Sequence, residues 1–166
     1  MENLLNNEPV KRVQEFIKKF DPKLEVLVLD TTARTAKDAA NSLKCEVGAI
    51  VKSLLFKAES SFIICLIAGD RRCSLNKLKK ILQKKDVSMA NAEEVKKKTG
   101  FSIGGVAPVA HISILNILVD KSLSRFPYIF AAAGHPNCVF KINYDQLIKI
   151  TNGSEMEISE WESQNL

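Results

Sequence analysis

The chain has 166 residues, enough for one domain with a sizeable hydrophobic core. Hydrophobic residues make up 46% and charged residues 26%, a balance typical of a folded globular protein rather than a disordered one. The net charge is +5, and no apolar run approaches the roughly 20 residues of a membrane-spanning helix, so we expect no membrane association.

Hydrophobic periodicity and capping residues predict the elements in chain order. Helices are expected at residues 9–20, 36–43, 75–82, 92–99 and 144–151, the last four after the capping side chains Thr35, Ser74, Asn91 and Asn143. Strands are expected at residues 24–29, 48–56, 62–68, 87–90, 118–119, 128–133 and 138–142. We therefore predict a mixed α/β domain, in which six or seven strands form a largely antiparallel sheet surrounded by helices.

Domain organisation follows from the composition along the chain. Residues 1–153 carry all the predicted elements and are expected to form one domain. Residues 154–166 contain four glutamates and no basic residue, which predicts an acidic, peripheral C-terminal tail whose Trp161 could dock on the body.

The cysteines and histidines limit the chemistry that we expect. Four cysteines form no C-x-x-C pair, and the N-terminus has no signal-peptide pattern, so we expect reduced thiols in a cytoplasmic protein. Two histidines without zinc-ligand spacing predict no metal site, and we expect no cofactor.

The strand at residues 48–56 is short and apolar but carries Lys52 in its middle. Since side chains alternate along a strand, Lys52 shares a face with Ile50, Leu54 and Phe56. Its side chain could extend to solvent at a sheet edge. Alternatively, Lys52 lies in a pocket and meets an anionic or carbonyl-bearing ligand.

Two further stretches have ambiguous composition. Residues 104–108 contain two glycines, which free the backbone to approach a ligand, but ordinary turns share this composition. Residues 71–98 contain ten basic residues and three acidic ones. Such a patch suits a polyanion such as nucleic acid, although lysines also simply keep helix faces solvated.

Five stretches resemble, in this order, the YbaK/EbsC family, whose members are related to the editing insertion domain of bacterial prolyl-tRNA synthetases. They are Gly-Ala-Ile-Val-Lys-Ser-Leu at 48–54, Ala-Gly-Asp-Arg-Arg at 68–72, Gly-Gly-Val-Ala-Pro at 104–108, Leu-Val-Asp-Lys-Ser-Leu at 118–123 and Ala-Ala-Gly-His-Pro-Asn at 132–137. No single motif is decisive, but the ordered set is specific. The likeness covers residues 8–153, and residues 1–153 would form a YbaK-like aminoacyl-tRNA editing domain.

The resemblance implies an aminoacyl-tRNA deacylase that acts in trans. Such an enzyme hydrolyses the ester of a small mischarged amino acid, of the Ala, Cys, Ser or Thr class, often on proline tRNA. Aminoacyl-tRNA would be its substrate, and a prolyl-tRNA synthetase is a candidate partner. Two alternatives remain open: a non-catalytic module that binds tRNA or a synthetase, and a protein-interaction domain with no RNA role.

The resemblance also assigns roles to residues. Lys52 corresponds to the key functional lysine and is the expected catalytic residue. Substrate binding is expected from Ser53, Gly104, Gly105, Val106, Ala107, Pro108, Gly134 and His135. Ser53 departs from the asparagine or threonine of other branches, which leaves the amino acid specificity open.

The remaining assignments keep two interpretations each. His135 either belongs to the pocket wall or is an ordinary turn residue, and it is not assigned as general base, because the family mechanism is thought to recruit groups on the substrate. Asp70, Arg71 and Arg72 form either a tRNA phosphate contact, made by the two arginines, or a salt-bridged turn.

Overall fold

The structure, a computed structural model, describes residues 3–31 and 33–162. In these ranges the α-helices are α1 (Glu8–Phe20), α2 (Ala36–Leu43), α3 (Leu75–Leu82), α4 (Ala92–Thr99) and α5 (Tyr144–Thr151). The strands are β1 (Val26–Val28), β2 (Ile50–Ala58), β3 (Ser61–Ala68), β4 (Arg71–Cys73), β5 (Val87–Met89), β6 (Asn116–Asp120), β7 (Ile129–Ala132), β8 (Cys138–Ile142), β9 (Ser154–Met156) and β10 (Ser159–Trp161).

The helices begin where the sequence places a capping side chain. Thr35, Ser74, Asn91 and Asn143 each accept a hydrogen bond from the backbone N–H three residues later, as predicted. At α4 and α5 the side chain of the third helical residue also accepts a hydrogen bond from the backbone N–H of the capping residue, which completes a capping box. Among the described residues, we find no helix with the length and apolarity that crossing a bilayer requires.

A mixed, mostly antiparallel sheet forms the centre of the molecule, as the α/β prediction required. Its strands follow the order β1-β8-β7-β2-β3-β6-β9, and β5 pairs with the far end of β2. The pairs β2–β7, β3–β6 and β6–β9 are parallel, and the other pairs in this sheet are antiparallel. Strands β4, β9 and β10 were not expected, and β4 and β10 form a separate two-stranded ribbon.

Strand β2 separates the two sides of the hydrophobic core. Val51 and Leu55 face the larger cluster, which contains the buried side of α1. On the opposite face, Ile50 packs with α2, and Phe56 packs with α3. Lys52 lies on this second face, between Ile50 of one smaller cluster and Phe56 of the other.

The prediction of a peripheral tail from residue 154 is wrong for the part that the structure describes. Strand β9 extends the main sheet beside β6, and β10 pairs with β4. Between them, Ile158 is fully buried against Phe56 and Leu78. Two strands of three residues give too short a pattern to recognise in an acidic segment, and residues 163–166 lie outside the described residues.

Asp120 fastens this C-terminal segment to the sheet. Its buried carboxylate accepts hydrogen bonds from the Ile158 backbone N–H at 2.8 Å and from the Ser159 hydroxyl at 2.6 Å. It also accepts from the Ser122 N–H at 3.2 Å and from the Ser122 hydroxyl. Burial by itself would raise the pKa of Asp120, but hydrogen bonds from Ser122, Ser159 and Ile158 hold it below its ordinary value.

We predict that Asp120→Ala lowers the free energy of unfolding by about 2–4 kcal/mol, because it leaves buried donors without their acceptor. Urea unfolding measures this loss, and Asp86→Ala, at an exposed carboxylate, should change stability by at most about 0.5 kcal/mol. Since the folded pKa is depressed, this stabilisation is present above the unfolded pKa and is lost as pH falls through the folded pKa. Equal effects of the two substitutions would contradict the anchoring role.

Candidate functional site

Strand β2 has one edge that is paired only at its ends. Strand β7 pairs with residues 50–51 and β5 pairs with residues 56–58, while β3 pairs with residues 51–58 on the other edge. Of the strands that the structure describes, none pairs with residues 52–55 on the β7 and β5 side. This interruption opens the sheet at the point where Lys52 lies.

A cavity of about 650 Å³ occupies this opening, which is within the range of small-molecule sites. Its walls are the start of α2, the open edge of β2, the end of β5 and the turn at Pro136. Most of the wall is apolar, with contributions from Leu54, Val106 and Phe130. Such a space can hold a small aliphatic or polar group while excluding much of the solvent.

Ser53 presents polar groups to this cavity. The Gly69 N–H donates to the Ile50 carbonyl at 2.8 Å on the β3 edge, and the Ala90 N–H donates to the Leu55 carbonyl at 3.0 Å on the opposite edge. Since backbone groups alternate along a strand, the Ser53 N–H and C=O point toward the open edge. Its hydroxyl oxygen is buried and has no hydrogen-bond partner among the described residues.

Lys52 lines the same cavity and is partly buried rather than extended into open solvent. Its Nζ donates to the Arg71 carbonyl. An ammonium has three N–H donors, so two remain for a ligand in the cavity. Burial lowers the pKa of Lys52, although the negative charges of Glu162 and Asp70 and the nearby Cys73 partly offset this effect.

The two glycine-containing loops contact each other directly. The Gly134 N–H donates to the Gly105 carbonyl at 2.9 Å. A Cβ atom at Gly105 would lie 2.8 Å from the His135 nitrogen and 3.0 Å from the Gly134 carbonyl carbon. The absence of a side chain at residue 105 is therefore what allows the loops to join.

The structure divides the predicted substrate-binding residues into two groups. Lys52, Ser53, Gly104 and Val106 line the cavity. The other expected residues are absent from its lining: Gly105, Ala107, Pro108, Gly134 and His135. The Nδ1 of His135 accepts a hydrogen bond from the Asn137 N–H at 3.0 Å, and the adjacent Pro136 lines the cavity in its place.

The Asp-Arg-Arg sequence at 70–72 is an ion-paired turn in this structure. Asp70 accepts two hydrogen bonds from Arg125, at 2.7 and 3.0 Å, and this interaction lowers the pKa of Asp70. Arg71 donates to the Ser159 hydroxyl at 2.6 Å, and Arg72 pairs with Glu160 at 2.9 Å. Both arginines thus hold β10, and neither lines the cavity. A phosphate contact by either one remains a prediction.

Sequence reasoning missed several residues of the cavity. Arg34 and Lys37 are exposed and lie at its rim, on either side of the cap of α2. Met89, Ile103 and Glu162 also line it, from segments distant in sequence. No local pattern marks them, since only the fold brings them to Lys52. Within the described residues, no group of three or more His, Cys, Asp or Glu side chains is arranged to hold a metal ion.

Comparison with known proteins identifies the class to which this fold and cavity belong. A protein-family model for the aminoacyl-tRNA editing domain matches residues 30–150. The chain therefore belongs to the aminoacyl-tRNA editing domain family, and its resemblance to YbaK-like proteins is confirmed.

Individual relatives give the same assignment. A proline–tRNA ligase of Thermosipho africanus is 38% identical over 132 residues, which are 79% of this chain and 23% of the ligase. The uncharacterized protein YwhH of Bacillus subtilis is 28% identical over 83% of this chain and 88% of its own length. The chain spans about a quarter or less of the proline–tRNA ligases that it matches.

A solved structure agrees in fold over nearly the full length of both chains. It is described as a candidate trans-editing enzyme for prolyl-tRNA synthetase, and it is 35% identical to this chain, with a TM-score of 0.86. The match covers 92% of this chain and 97% of that one.

The contact between the two loops predicts the effect of a side chain at residue 105. We expect Gly105→Ala to destabilise the protein by about 1–3 kcal/mol, because the added methyl must displace backbone atoms of residues 134–135. Ser102→Ala, at an exposed position of the same loop, is the matched control and should leave thermal unfolding almost unchanged. Wild-type stability of Gly105→Ala would contradict the tight joining of the loops.

Proposed function

We propose that this chain is a trans-acting aminoacyl-tRNA deacylase that hydrolyses the ester of a small mischarged amino acid, of the Ala, Cys, Ser or Thr class, from tRNA, with proline tRNA as the expected substrate. The observation that carries the proposal is the convergence of Lys52 and the open backbone edge of Ser53 on one cavity, in a member of the editing domain family. A tRNA substrate and a prolyl-tRNA synthetase as partner place the reaction in the cytoplasm.

The reaction needs little chemical activation. Water attacks the ester carbonyl carbon, the bond from that carbon to the terminal ribose oxygen breaks, and the ribose oxygen takes up the proton that the water loses. The products are a free amino acid and an uncharged tRNA. Because an aminoacyl ester is already reactive, orientation and stabilisation of the oxyanion supply most of the acceleration that is required.

The residues of the cavity suit these two tasks. Two N–H donors of Lys52 can hold a ribose hydroxyl or a phosphate oxygen of the terminal nucleotide, which fixes the ester. The Ser53 N–H points to the open edge of β2, where it can donate to the ester carbonyl oxygen. Arg34 and Lys37 at the rim supply positive charge for the RNA backbone.

The size and apolarity of the cavity support selection of a small amino acid. A synthetase discriminates against a side chain that differs by one methylene by only about 1–3 kcal/mol, so a second, hydrolytic site is useful. Leu54, Val106 and Phe130 restrict the space around the ester. Ser53 is the polar side chain closest in sequence to Lys52 and is a candidate for setting the preference.

Replacement of Lys52 tests the hydrolase directly. We expect Lys52→Met, which keeps much of the side-chain length but removes the charge, to slow deacylation of mischarged proline tRNA by about 100-fold or more. Release of radiolabelled amino acid over time measures the rate. Lys57→Met, on the exposed end of the same strand, should leave it unchanged. Equal rates for wild type and Lys52→Met would remove the role of Lys52.

A non-catalytic module is the second candidate, and the exposed lysines of α3 and α4 support it. Lys77, Lys80, Lys96 and Lys97 are all exposed and could bind an RNA backbone without hydrolysis. A panel of tRNAs charged with alanine, cysteine, serine, threonine and proline separates the two functions. Binding without release of any amino acid would favour the module over the deacylase.

The lowered pKa of Lys52 predicts how ligand affinity depends on pH. We expect the affinity for an aminoacyl-adenosine with an amide in place of the ester to fall as pH rises past this pKa, because the ammonium loses its proton. In Lys52→Arg the guanidinium stays charged, so this component should disappear. Calorimetric titration at several pH values measures the affinity of both proteins. The ligand's own amino group titrates equally in the two experiments, so its contribution cancels in the difference between the two pH profiles. Superimposable profiles would contradict a charged Lys52 in the complex.

A further inference from the structure

A second, polar cleft of about 400 Å³ lies beside the cavity that contains Lys52. Four cationic side chains line it: Arg71, Lys77, Lys121 and Arg125. Ser122, Ser124 and Ser159 also line it, but their hydroxyls already donate within the protein, to Asp120 or, for Ser124, to the Lys121 carbonyl. The carboxylates in it are Asp120 and Glu157, so the cleft carries an excess of positive charge. The cationic side chains suit the cleft to an oxyanion such as a phosphate.

The cationic side chains of the cleft differ in the hydrogen bonds and ion pairs that they make within the protein. Arg71 and Lys77 donate to Ser159, at 2.6–3.1 Å and 2.8 Å, and Arg125 pairs with Asp70. Lys121 is exposed at the first residue after β6. Because the oxygens of Ser159 are neutral, its hydrogen bonds with Arg71 and Lys77 do not compensate the positive charge of these two side chains. The cleft is therefore both rigidly held and electropositive.

Trp161 stands next to this cleft and is 60% exposed. The Arg71 guanidinium lies 4.4 Å from the centre of its ring, and the Arg125 guanidinium lies 5.3 Å from it. These contacts fix an aromatic surface that still faces solvent over most of its area. Exposed aromatic rings beside basic clefts are the usual platforms on which proteins stack unpaired bases.

The β4–β10 ribbon separates the cleft from the cavity. Arg71 sends its side chain to the cleft, while its carbonyl accepts the hydrogen bond from Lys52. On β10, Ser159 lines the cleft, and Glu162, just after the strand, lines the cavity. The cavity and the cleft are therefore joined through Arg71, and Trp161 lies on the same ribbon.

The geometry points to a binding site for the single-stranded 3′ end of an RNA, in which Trp161 stacks on an unpaired base and the cleft around Lys121 holds a phosphodiester. This inference rests on the proposed function, since it places the nucleotides that precede the aminoacylated one. It also adds to that function, because Trp161 and Ser159 lie outside residues 30–150, which the family model matches. The ribbon would supply affinity for unpaired RNA, independently of the hydrolysis at Lys52.

The test uses the fact that Trp161 is the single tryptophan of the chain. An uncharged RNA hairpin with a four-nucleotide single-stranded ACCA end is titrated into the full chain, and the same hairpin with a blunt end is the control ligand. We expect the overhang to quench the tryptophan fluorescence and the blunt hairpin to leave it nearly unchanged. Binding of the overhang RNA without quenching would overturn the inference, as would a failure to bind it.

Variants separate a binding role from a structural one. By fluorescence anisotropy of labelled RNA, Trp161→Ala should weaken binding of the overhang about five- to tenfold, and Trp161→Phe should restore most of the affinity. Lys121→Ala should weaken it severalfold and reduce the slope of log K against log salt by about 0.7–1. Lys149→Ala, on α5 at the other face of the sheet, should bind as wild type. Wild-type affinity in Trp161→Ala and Lys121→Ala would overturn the inference.

Failure of this inference can be told apart from failure of the proposed function. Hydrolysis that depends on Lys52, together with unaltered RNA binding by the Trp161 and Lys121 variants, would overturn the RNA site alone. Quenching by the overhang RNA, without hydrolysis of any charged tRNA, would remove the deacylase and support the RNA site.

Discussion

The interrupted pairing of β2 is the constraint on which the rest of the structure depends. A central strand normally has both edges covered, because its backbone N–H and C=O groups need partners. Here the pairing of β2 with β7 ends at Val51, and its pairing with β5 begins at Phe56. Ser53 lies between them and faces a cavity. The sheet remains intact because β3 pairs with residues 51–58 of β2 without interruption. The polar backbone edge at Ser53 therefore lies in a mostly apolar cavity and belongs to a paired strand rather than to a loop.

The partly buried ammonium of Lys52 is stabilised by one hydrogen bond and by nearby negative charges, which offset the loss of hydration. The Arg71 carbonyl accepts one of its hydrogen bonds, and Glu162 and Asp70 partly restore the pKa that burial lowers. Asp70 lies in the turn after β3 and Arg71 begins β4, while Glu162 comes from the C-terminal segment that Asp120 holds in place. The environment of Lys52 is thus set by contacts that are distant from it in sequence.

The sequence predicts the helices and the central strands well, because capping residues and long apolar patterns are local signals. Asn91 and Gly100 mark the two ends of α4 without any tertiary information. Short strands such as β4 and β10 are stabilised by each other and by the body, so three-residue patterns in polar segments do not reveal them. The same reason explains the incorrect prediction of a peripheral tail.

The structure places some of the expected site residues on the cavity wall and others away from it, which reflects the difference between a motif and a surface. Lys52, Ser53, Gly104 and Val106 were expected at the site and do line the cavity. His135 belongs to the same resemblance, yet it serves the turn, because its Nδ1 accepts a backbone N–H. A sequence motif contains residues that support the local fold as well as residues that line the cavity. The motif alone does not distinguish the two groups.

The proposed RNA site on the C-terminal ribbon would allow RNA preference to change without a change at Lys52 or Ser53. Lys52 and Ser53 lie within the residues that the family model matches, whereas β10 lies after them. Contact between the two regions runs through Arg71, whose carbonyl serves the cavity and whose side chain serves Ser159 and Trp161. Under that proposal, substitutions on the exposed face of the ribbon would alter which unpaired nucleotides bind. The Lys52 ammonium would keep its hydrogen bond, because the Arg71 oxygen that accepts it belongs to the backbone. Trp161 and Lys121 can therefore be replaced to test the proposed RNA site without altering the wall of the cavity, since neither lines it.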